Sequence, residues 1–442
     1  MKRVMSLSVA AVLVCALQAQ GQVGIFRTVV LSGEQAQGTG TGVSYLAFSP
    51  ISLRFNDENQ TVFLANLSGV GVTEDNDNAI VSEGWGTGPA VTAREGDQAP
   101  DLPVGVRYSL LSQPAFSALG ETAVTASLSG PGITAENGFA IFSEAVGPGG
   151  FSPIARAGQQ ATGLPAGVNY ALLFPPQLNK AGRAAFSSHL AGAGVTASND
   201  RAIFEGSGSG LNLVARSGNQ AGGLAAGVHY GGLGSPLIDD VGRLAFYSGL
   251  DGEDVTLDDD EAFFSEGGGA GAVAIARAGA PAAGLPSHTR YATLTPSSLQ
   301  FNGLGKAAFH AMLSGPQVNS GNDGALFSEG GGALTILARE GDPSPGLAAD
   351  VLYGAFEPDS LRLNRAGQAA FVASLTGDGA TSGDNEAVFT AGGGSGLTAL
   401  VRTGQQATGL APGILYHGFE ASIQLDDHGH TAFFAHLRGD DT

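Results

Sequence analysis

Asn179-Lys180-Ala181-Gly182-Arg183-Ala184-Ala185-Phe186-Ser187-Ser188-His189-Leu190 reads as a turn running into a strand, and the chain repeats it in variant form along its length. Asn can bond its own backbone two residues on and Gly supplies positive φ, so Asn179 to Gly182 carries hairpin chemistry. Phe186, Ser188 and Leu190 are two residues apart and share one face of the strand. The same large-small-large face recurs at Phe63-Ala65-Leu67, Val124-Ala126-Leu128, Phe246-Ser248-Leu250, Phe309-Ala311-Leu313, Phe371-Ala373-Leu375 and Phe433-Ala435-Leu437. A small central residue leaves room for a bulky neighbour, so this face is expected to be core. The opposite face varies freely (Thr125, His310, Met312, Val372, Phe434) and is expected to be the less constrained one.

Seven of the eight tyrosines mark the period: Tyr45, Tyr108, Tyr170, Tyr230, Tyr291, Tyr353 and Tyr416, spaced by 63, 62, 60, 61, 62 and 63 residues. Such regularity means one supersecondary unit copied along the chain. Within the copy from Tyr170 to Tyr230, the sequence predicts a first strand over Tyr170 to Leu178 and a second over Ala184 to Leu190. A polar loop leads to a third strand at Ala202-Ile-Phe204, and a glycine-rich hairpin to a fourth at Leu211 to Ala215. Short strands between turn residues, with no helical period, indicate antiparallel sheets. The expected fold is all-β: a β-propeller of seven blades, each of four short antiparallel strands. Ile25 to Leu31 resembles the end of a copy, while the segment after Tyr416 supplies the start of one. The N- and C-terminal strands are therefore expected to share one blade, with the N-terminal strand pairing near Thr431 to Leu437.

Asn302-Gly-Leu-Gly-Lys-Ala-Ala-Phe309 and Asn364-Arg-Ala-Gly-Gln-Ala-Ala-Phe371 repeat the opening stretch closely. Asp239 to Gly242 and Asp426 to Gly429 are variants, and the first copy has Asn56 and Asn59 instead. This signature resembles that of exported bacterial NxxGxxAF tandem-repeat proteins of the choice-of-anchor type. The resemblance implies export and, in some members, a C-terminal sorting anchor, with no established activity or catalytic residues.

Met1-Lys-Arg3 followed by the apolar run from Val4 to Leu17 reads as a secretory signal, with cleavage after Ala19 or Gly21. Residues 1–21 are thus assigned as signal peptide and 22–442 as a single repeat domain. The one cysteine, Cys15, falls inside the signal, so disulfides play no part in the mature fold. Forty acidic against twenty basic residues give a net charge of −20, which argues against nucleic acid or anionic membrane as partner. Beyond the signal, no apolar run is long enough for a membrane helix.

Several repeated polar residues could carry chemistry. Arg94, Arg156, Arg216, Arg277, Arg339 and Arg402 end the fourth strands, and Glu83, Glu144, Glu205, Glu266 and Glu329 lie at the third-strand ends. A ring of arginines would bind anions. A role in every copy fits structure better, as a cross-hairpin pair with glutamate or as bonds to loop carbonyls. Asp75-Asn-Asp77, Asn199-Asp200, Asp258-Asp-Asp260, Asn322-Asp323 and Asp384-Asn385 offer hard oxygens to calcium but lack a complete ligand set, and Asx turns account for them. His417, His428, His430 and His436 show no metal-binding spacing. The glycine runs Gly206–Gly210 and Gly392–Gly396 read as hairpin turns, and Trp85 as packing or as a sugar-stacking surface. No catalytic, cofactor or metal residue is assigned. The expected function is an exported, monomeric, non-enzymatic module that recognises or scaffolds an extracellular protein or polysaccharide. The alternative is a propeller enzyme acting on extracellular glycan.

Overall fold

The computed structural model describes residues 11–16, 25–56, 58–84, 86, 88–144, 150–207, 210–269, 271–330, 332–391 and 396–439. Trp85, residues 208–209 of the first glycine run and residues 392–395 of the second lie outside these. The described elements are strands apart from three 3-10 turns at Pro50–Ser52, Pro296–Ser298 and Pro358–Ser360. The chain divides into two compact units, residues 1–216 and 217–442.

Among the described residues the first unit holds three five-stranded antiparallel sheets, one per copy, besides the pair formed by Ala11–Ala16 and Ile25–Leu31. In the sheet from the opening stretch, Val168–Leu173, Ala184–Gly192, Arg201–Gly206 and Asn212–Arg216 lie in sequence order, and Gln177–Leu178 also pairs with Ala184–Gly192. The second unit repeats the plan three times, for instance Leu352–Phe356, Ala369–Thr376, Glu386–Thr390 and Thr398–Arg402 with Arg362–Leu363 off the path. The expected first strand is thus two strands, broken at Phe174-Pro175-Pro176, where proline has no N–H for the ladder. Where a 3-10 turn fills the break, serine repairs it. The hydroxyls of Ser52, Ser298 and Ser360 each accept the second-strand amide of Leu64, His310 and Val372 at 2.8 Å.

The repeated face is core, as its pattern predicts. Phe186, Phe246, Phe309 and Phe371 stack on Phe204, Phe264, Phe327 and Phe389, with ring centres 5.5 to 5.6 Å apart. The period-marking tyrosine closes each pair, as Tyr170 does edge-on against Phe204. The opposite face is not free. Thr125, Ser187, His310 and Val372 are buried there, although Phe434 is exposed. The reason is stacking of successive sheets: Ile141 and Ile154 of the second copy join the core around Tyr170 and Phe186 of the third. Likewise Ala308 and Leu326 join Tyr353 and Phe371, and Val372 and Val388 join Phe419 and Ile423.

The turn supplies the polar link between copies. Asn302 Oδ1 accepts the amides of Leu304 and Lys306, closing its own hairpin. Its Nδ2 donates 2.9 Å to the carbonyl of Asn364, whose Nδ2 donates 2.8 Å to the carbonyl of Asp426. Asn56 reaches Ser117 in the same way at 3.2 Å. The turn glycine is fixed twice over. Gly367 has φ 80°, and a Cβ on Gly330 of the preceding copy would lie 2.0 Å from its carbonyl oxygen. In the first copy Asn59 takes the left-handed conformation itself, at φ 58°.

The expected pairing of the N-terminal strand is not formed. Ile25–Leu31 pairs instead with Ala11–Ala16, and Ala435–Arg438 pairs with Leu415–Phe419. The irregularity of Ala11–Ala16 between Val12 and Leu13 matches that between Ile203 and Phe204 in a third-to-fourth-strand pair, so this apolar segment takes a third strand's place.

Asn302→Asp keeps the acceptor that closes the hairpin but sets a carboxylate oxygen against the Asn364 carbonyl in a buried site. It should cost about 2 kcal/mol in urea denaturation, the range for a buried polar group left unsatisfied. Adding Lys306→Arg should recover part of this, because Asp239 in the neighbouring copy is held by Arg243 Nε at 2.6 Å. Equal stability of Asn302→Asp and the parent chain would refute a linking role for Nδ2.

Candidate functional site

The repeated polar residues serve the fold. The six arginines bond loop carbonyls through Nε: Arg94 to Asn76 at 2.6 Å, Arg156 to Asn137 at 3.3 Å, Arg216 to Asn199 at 3.0 Å. Arg277, Arg339 and Arg402 bond Asp259, Asn322 and Asp384 at 2.8, 2.8 and 2.5 Å. The glutamates do not pair with these arginines. Glu83, Glu144, Glu266 and Glu329 accept the amide that opens the second strand, from Thr61, Thr122, Leu244 and Ala307, at 2.8 to 3.0 Å. Glu205, one residue early, pairs with Arg183 of the turn and Asn212.

The polar loops are Asx turns. Asn76, Asn137 and Asn199 accept the amide of the threonine three residues back at 2.8 Å. Asp259 does the same to Thr256 at 2.7 Å and also pairs with Arg277. The Thr256 amide and hydroxyl, with Arg277, hold the Asp259 carboxyl below its usual range. Its carboxylate is therefore engaged, and the described residues contain no group of three His, Cys, Asp or Glu placed to hold a metal ion. Of the C-terminal histidines, His430 Nδ1 lies 2.7 Å from Asp426 Oδ2, His428 stacks on His430, and His436 Nε2 lies 2.6 Å from Glu420.

Two further repeated roles escape single-residue motifs. Gln98, Gln160, Gln220 and Gln406 each clip the long loop before the tyrosine, accepting the amide seven residues on at 2.8 to 3.0 Å. The tyrosine hydroxyl accepts an amide eight residues back: Thr162 to Tyr170, Gly222 to Tyr230, Ala283 to Tyr291 and Thr408 to Tyr416. Proline stands there for Tyr108 and Tyr353 (Pro100 and Pro345), and their hydroxyls are buried without a partner.

Chemistry that differs between copies is sparse. Burial, reinforced by Asp77, pushes the Glu95 carboxyl up to about 7, against the pull of the Leu111 amide. Glu340 occupies the same place in the fifth copy, with burial and Asp323 raising its pKa. Other copies have Ala157, Ser217, Ala278 and Thr403 there, a contrast visible only once the copies are aligned. Burial lowers His310 to about 4, leaving a neutral ring whose Nδ1 lies 2.8 Å from the Thr295 hydroxyl. In the first unit a groove of 660 Å³ opens between the second and third copies, lined by Phe139, Tyr170, Leu172 and His189 with Glu136 at its edge. In the second unit a pocket of 730 Å³ carries His229, Asp251, Glu253, Asp254 and Arg277.

One sequence family's pattern matches residues 15–391 and again 260–442. The chain belongs to the family of unknown function DUF7453. No curated protein matches it. Among solved structures it is similar to a Trypanosoma rangeli sialidase in complex with sialic acid, at 9% identity and TM-score 0.31. That match covers 87% of this chain and 58% of the sialidase, so the chain spans less than two thirds of that relative's length. A GH43 β-1,3-galactosidase with galactodeoxynojirimycin matches at 13% identity and TM-score 0.25, over 72% of this chain and 92% of the other. The Pseudomonas aeruginosa periplasmic gluconolactonase matches at 16% identity and TM-score 0.26, over 83% and 96%. No helix among the described residues is long and apolar enough to cross a membrane.

Glu95 makes stability depend on pH. Its folded pKa is raised above the unfolded value, so its contribution is full below pH ~4.5 and is lost as pH rises to about 7. Glu95→Gln mimics the protonated acid and should raise stability at pH 8 by on the order of 2 kcal/mol while changing little at pH 4. Chemical denaturation at both pH values measures it, and an equal effect at the two would show that Glu95 does not titrate this way. Among the tyrosines, Tyr230→Phe should cost about 1 kcal/mol for the lost bond, whereas Tyr108→Phe should be neutral or stabilising because it removes an orphan hydroxyl. Melting temperatures that rank the two oppositely would refute the proline explanation.

Proposed function

We propose that the protein is an exported, non-enzymatic recognition or scaffold module of the NxxGxxAF type, acting outside the cytoplasm on a protein or polysaccharide. Its expected form is a seven-bladed β-propeller of repeated antiparallel sheets. One observation carries this reading. The polar side chains that recur among the copies are committed to the fold, arginine to the loop, glutamate to the strand, asparagine to the turn and glutamine to the long loop. What differs between copies is surface shape and charge, which is the means of a binding protein. Stacking of successive sheets within each unit at a constant period supports the propeller form, and the apolar run near Met1 supports export.

The test is a polysaccharide panel scored for both binding and cleavage with the purified chain, together with fractionation of cells that produce it. Saturable binding without new reducing ends, and recovery from the exported fraction, are expected. Hydrolysis abolished by changing one carboxylate in the pocket of Asp251, Glu253 and Asp254 would replace this reading with a glycan-acting enzyme.

A further inference from the structure

Polar side chains that the fold does not use gather at one end of the second and third sheets. Ser127 and His189 hold the same place in successive copies, just before Leu128 and Leu190. A groove lies beside each, 520 Å³ along Ser127, Ser129 and Thr134, and 660 Å³ along Asn169, Leu172 and His189. Half-buried Phe139 and exposed Ala135 line both grooves, which therefore flank one ridge. Phe139 is the one aromatic at its position, where the other copies carry Asn78, Arg201, Glu261, Gly324 and Glu386. Apolar surface is concentrated at the same two copies. Leu110 and Leu172, each two residues beyond its tyrosine, are 56% and 39% exposed, and the equivalent residues are Ala47, Gly232, Thr293, Ala355 and Gly418. Among the described residues no lysine or arginine lines either groove, and Glu136 is the one acid that does. The side chains of Ser127, Ser129, Asn169 and Glu136 have no hydrogen-bond partner among those residues.

We infer that this face binds a neutral polysaccharide chain laid across Phe139, with sugar rings in the groove on either side. The inference rests on the recognition reading and names its ligand class and its site. A sugar ring has an apolar C–H face and a polar rim, and both find partners here. Phe139, Leu110 and Leu172 cover the first, while uncommitted hydroxyl, amide and carboxylate groups meet the second. Each groove has the size of a small-ligand site, which runs from roughly 300 to 1,000 Å³. Stacked sheets lie roughly 10 Å apart, about the length of two linked hexoses, so one step along the stack matches one disaccharide along a polymer. Charge selects the kind of polymer. Glu136 lines the groove, Asp200 Oδ2 lies 3.8 Å from His189 Nδ1, and the chain carries a net charge of −20. An anionic glycan meets no lysine or arginine there and is repelled by the chain as a whole.

Affinity electrophoresis of the full chain in native gels provides the test. Laminarin, galactomannan and hydroxyethylcellulose are the neutral probes, and polygalacturonate is the anionic one. At least one neutral polymer should retard the chain, with an affinity at least tenfold above that for polygalacturonate. In calorimetry the hexasaccharide of that polymer should bind at least tenfold tighter than its disaccharide, because only the longer chain reaches both grooves. Phe139→Ala should weaken binding at least twentyfold. The double variant Leu110→Ala, Leu172→Ala changes exposed residues, leaves the core untouched, and should weaken binding at least fivefold even where Phe139→Ala misfolds. Leu410→Ala, at a leucine 47% exposed in the long loop before Tyr416, should leave binding unchanged. Failure of all three neutral polymers to bind, equal retardation by polygalacturonate, equal affinity of the two oligosaccharides, or equal weakening by Leu410→Ala would each overturn the inference. Polysaccharide binding at full strength in the folded double variant would overturn this face alone and leave the recognition reading standing. Release of new reducing ends would overturn the recognition reading, on which the inference rests.

Discussion

A sheet with two apolar faces has to be covered twice, and the structure meets that constraint by making each sheet the cover of another. Ile141 and Ile154 of one copy are core residues of the next copy's tyrosine cluster, as Ala308 and Leu326 are for the copy that follows theirs. Apolar burial at roughly 25 cal/mol per Å² is the main favourable term available to a fold with no disulfide among its described residues. It accrues at the faces between sheets as much as within them. A single copy would leave one face in water and could not be stable alone, in the way of repeat proteins. The side chains that look variable along the second strand therefore vary under a shared requirement for burial, met by Thr125 in one copy and by Val372 in another.

The polar signature follows from the same packing. Sheets that approach closely bring the tips of their hairpins together, where backbone carbonyls need donors and side chains have no room. Asparagine answers the first need because its two amide ends act in opposite directions, one inward to its own turn and one outward to the next. Glycine answers the second, since a Cβ on Gly84 would fall 1.7 Å from the carbonyl oxygen of Gly120. Where aspartate replaces asparagine at position 239, Arg243 supplies a hydrogen-bond donor that the carboxylate lacks.

Much of this was legible in the sequence. The strand faces, turns and period all follow from local rules, namely two-residue alternation, the Asn and Gly turn preferences, and regular spacing. The arginine, glutamate and Asx-loop roles were readable as structural because they recur from copy to copy, although the glutamates proved mostly to serve strand amides and not the arginines. Two things were hidden. The burial of His310 depends on the neighbouring sheet, which no local pattern encodes. The pairing of Ile25–Leu31 joins it to Ala11–Ala16, a segment whose sequence reads as part of a secretory signal.

The link from Asn302 to Asn364 spans 62 residues, one period of the chain. A duplication or deletion of one whole period would hand every turn a partner of the same kind at the same distance, wherever the break falls within the repeat. A change of half a period would strand an amide donor at one tip and a carbonyl at the next, and would set opposing glycines against side chains. The molecule therefore behaves, under recombination, like a ratchet with one tooth per copy: its length can change in whole steps, and intermediate lengths are penalised at the hairpin tips before any surface function is exposed to selection.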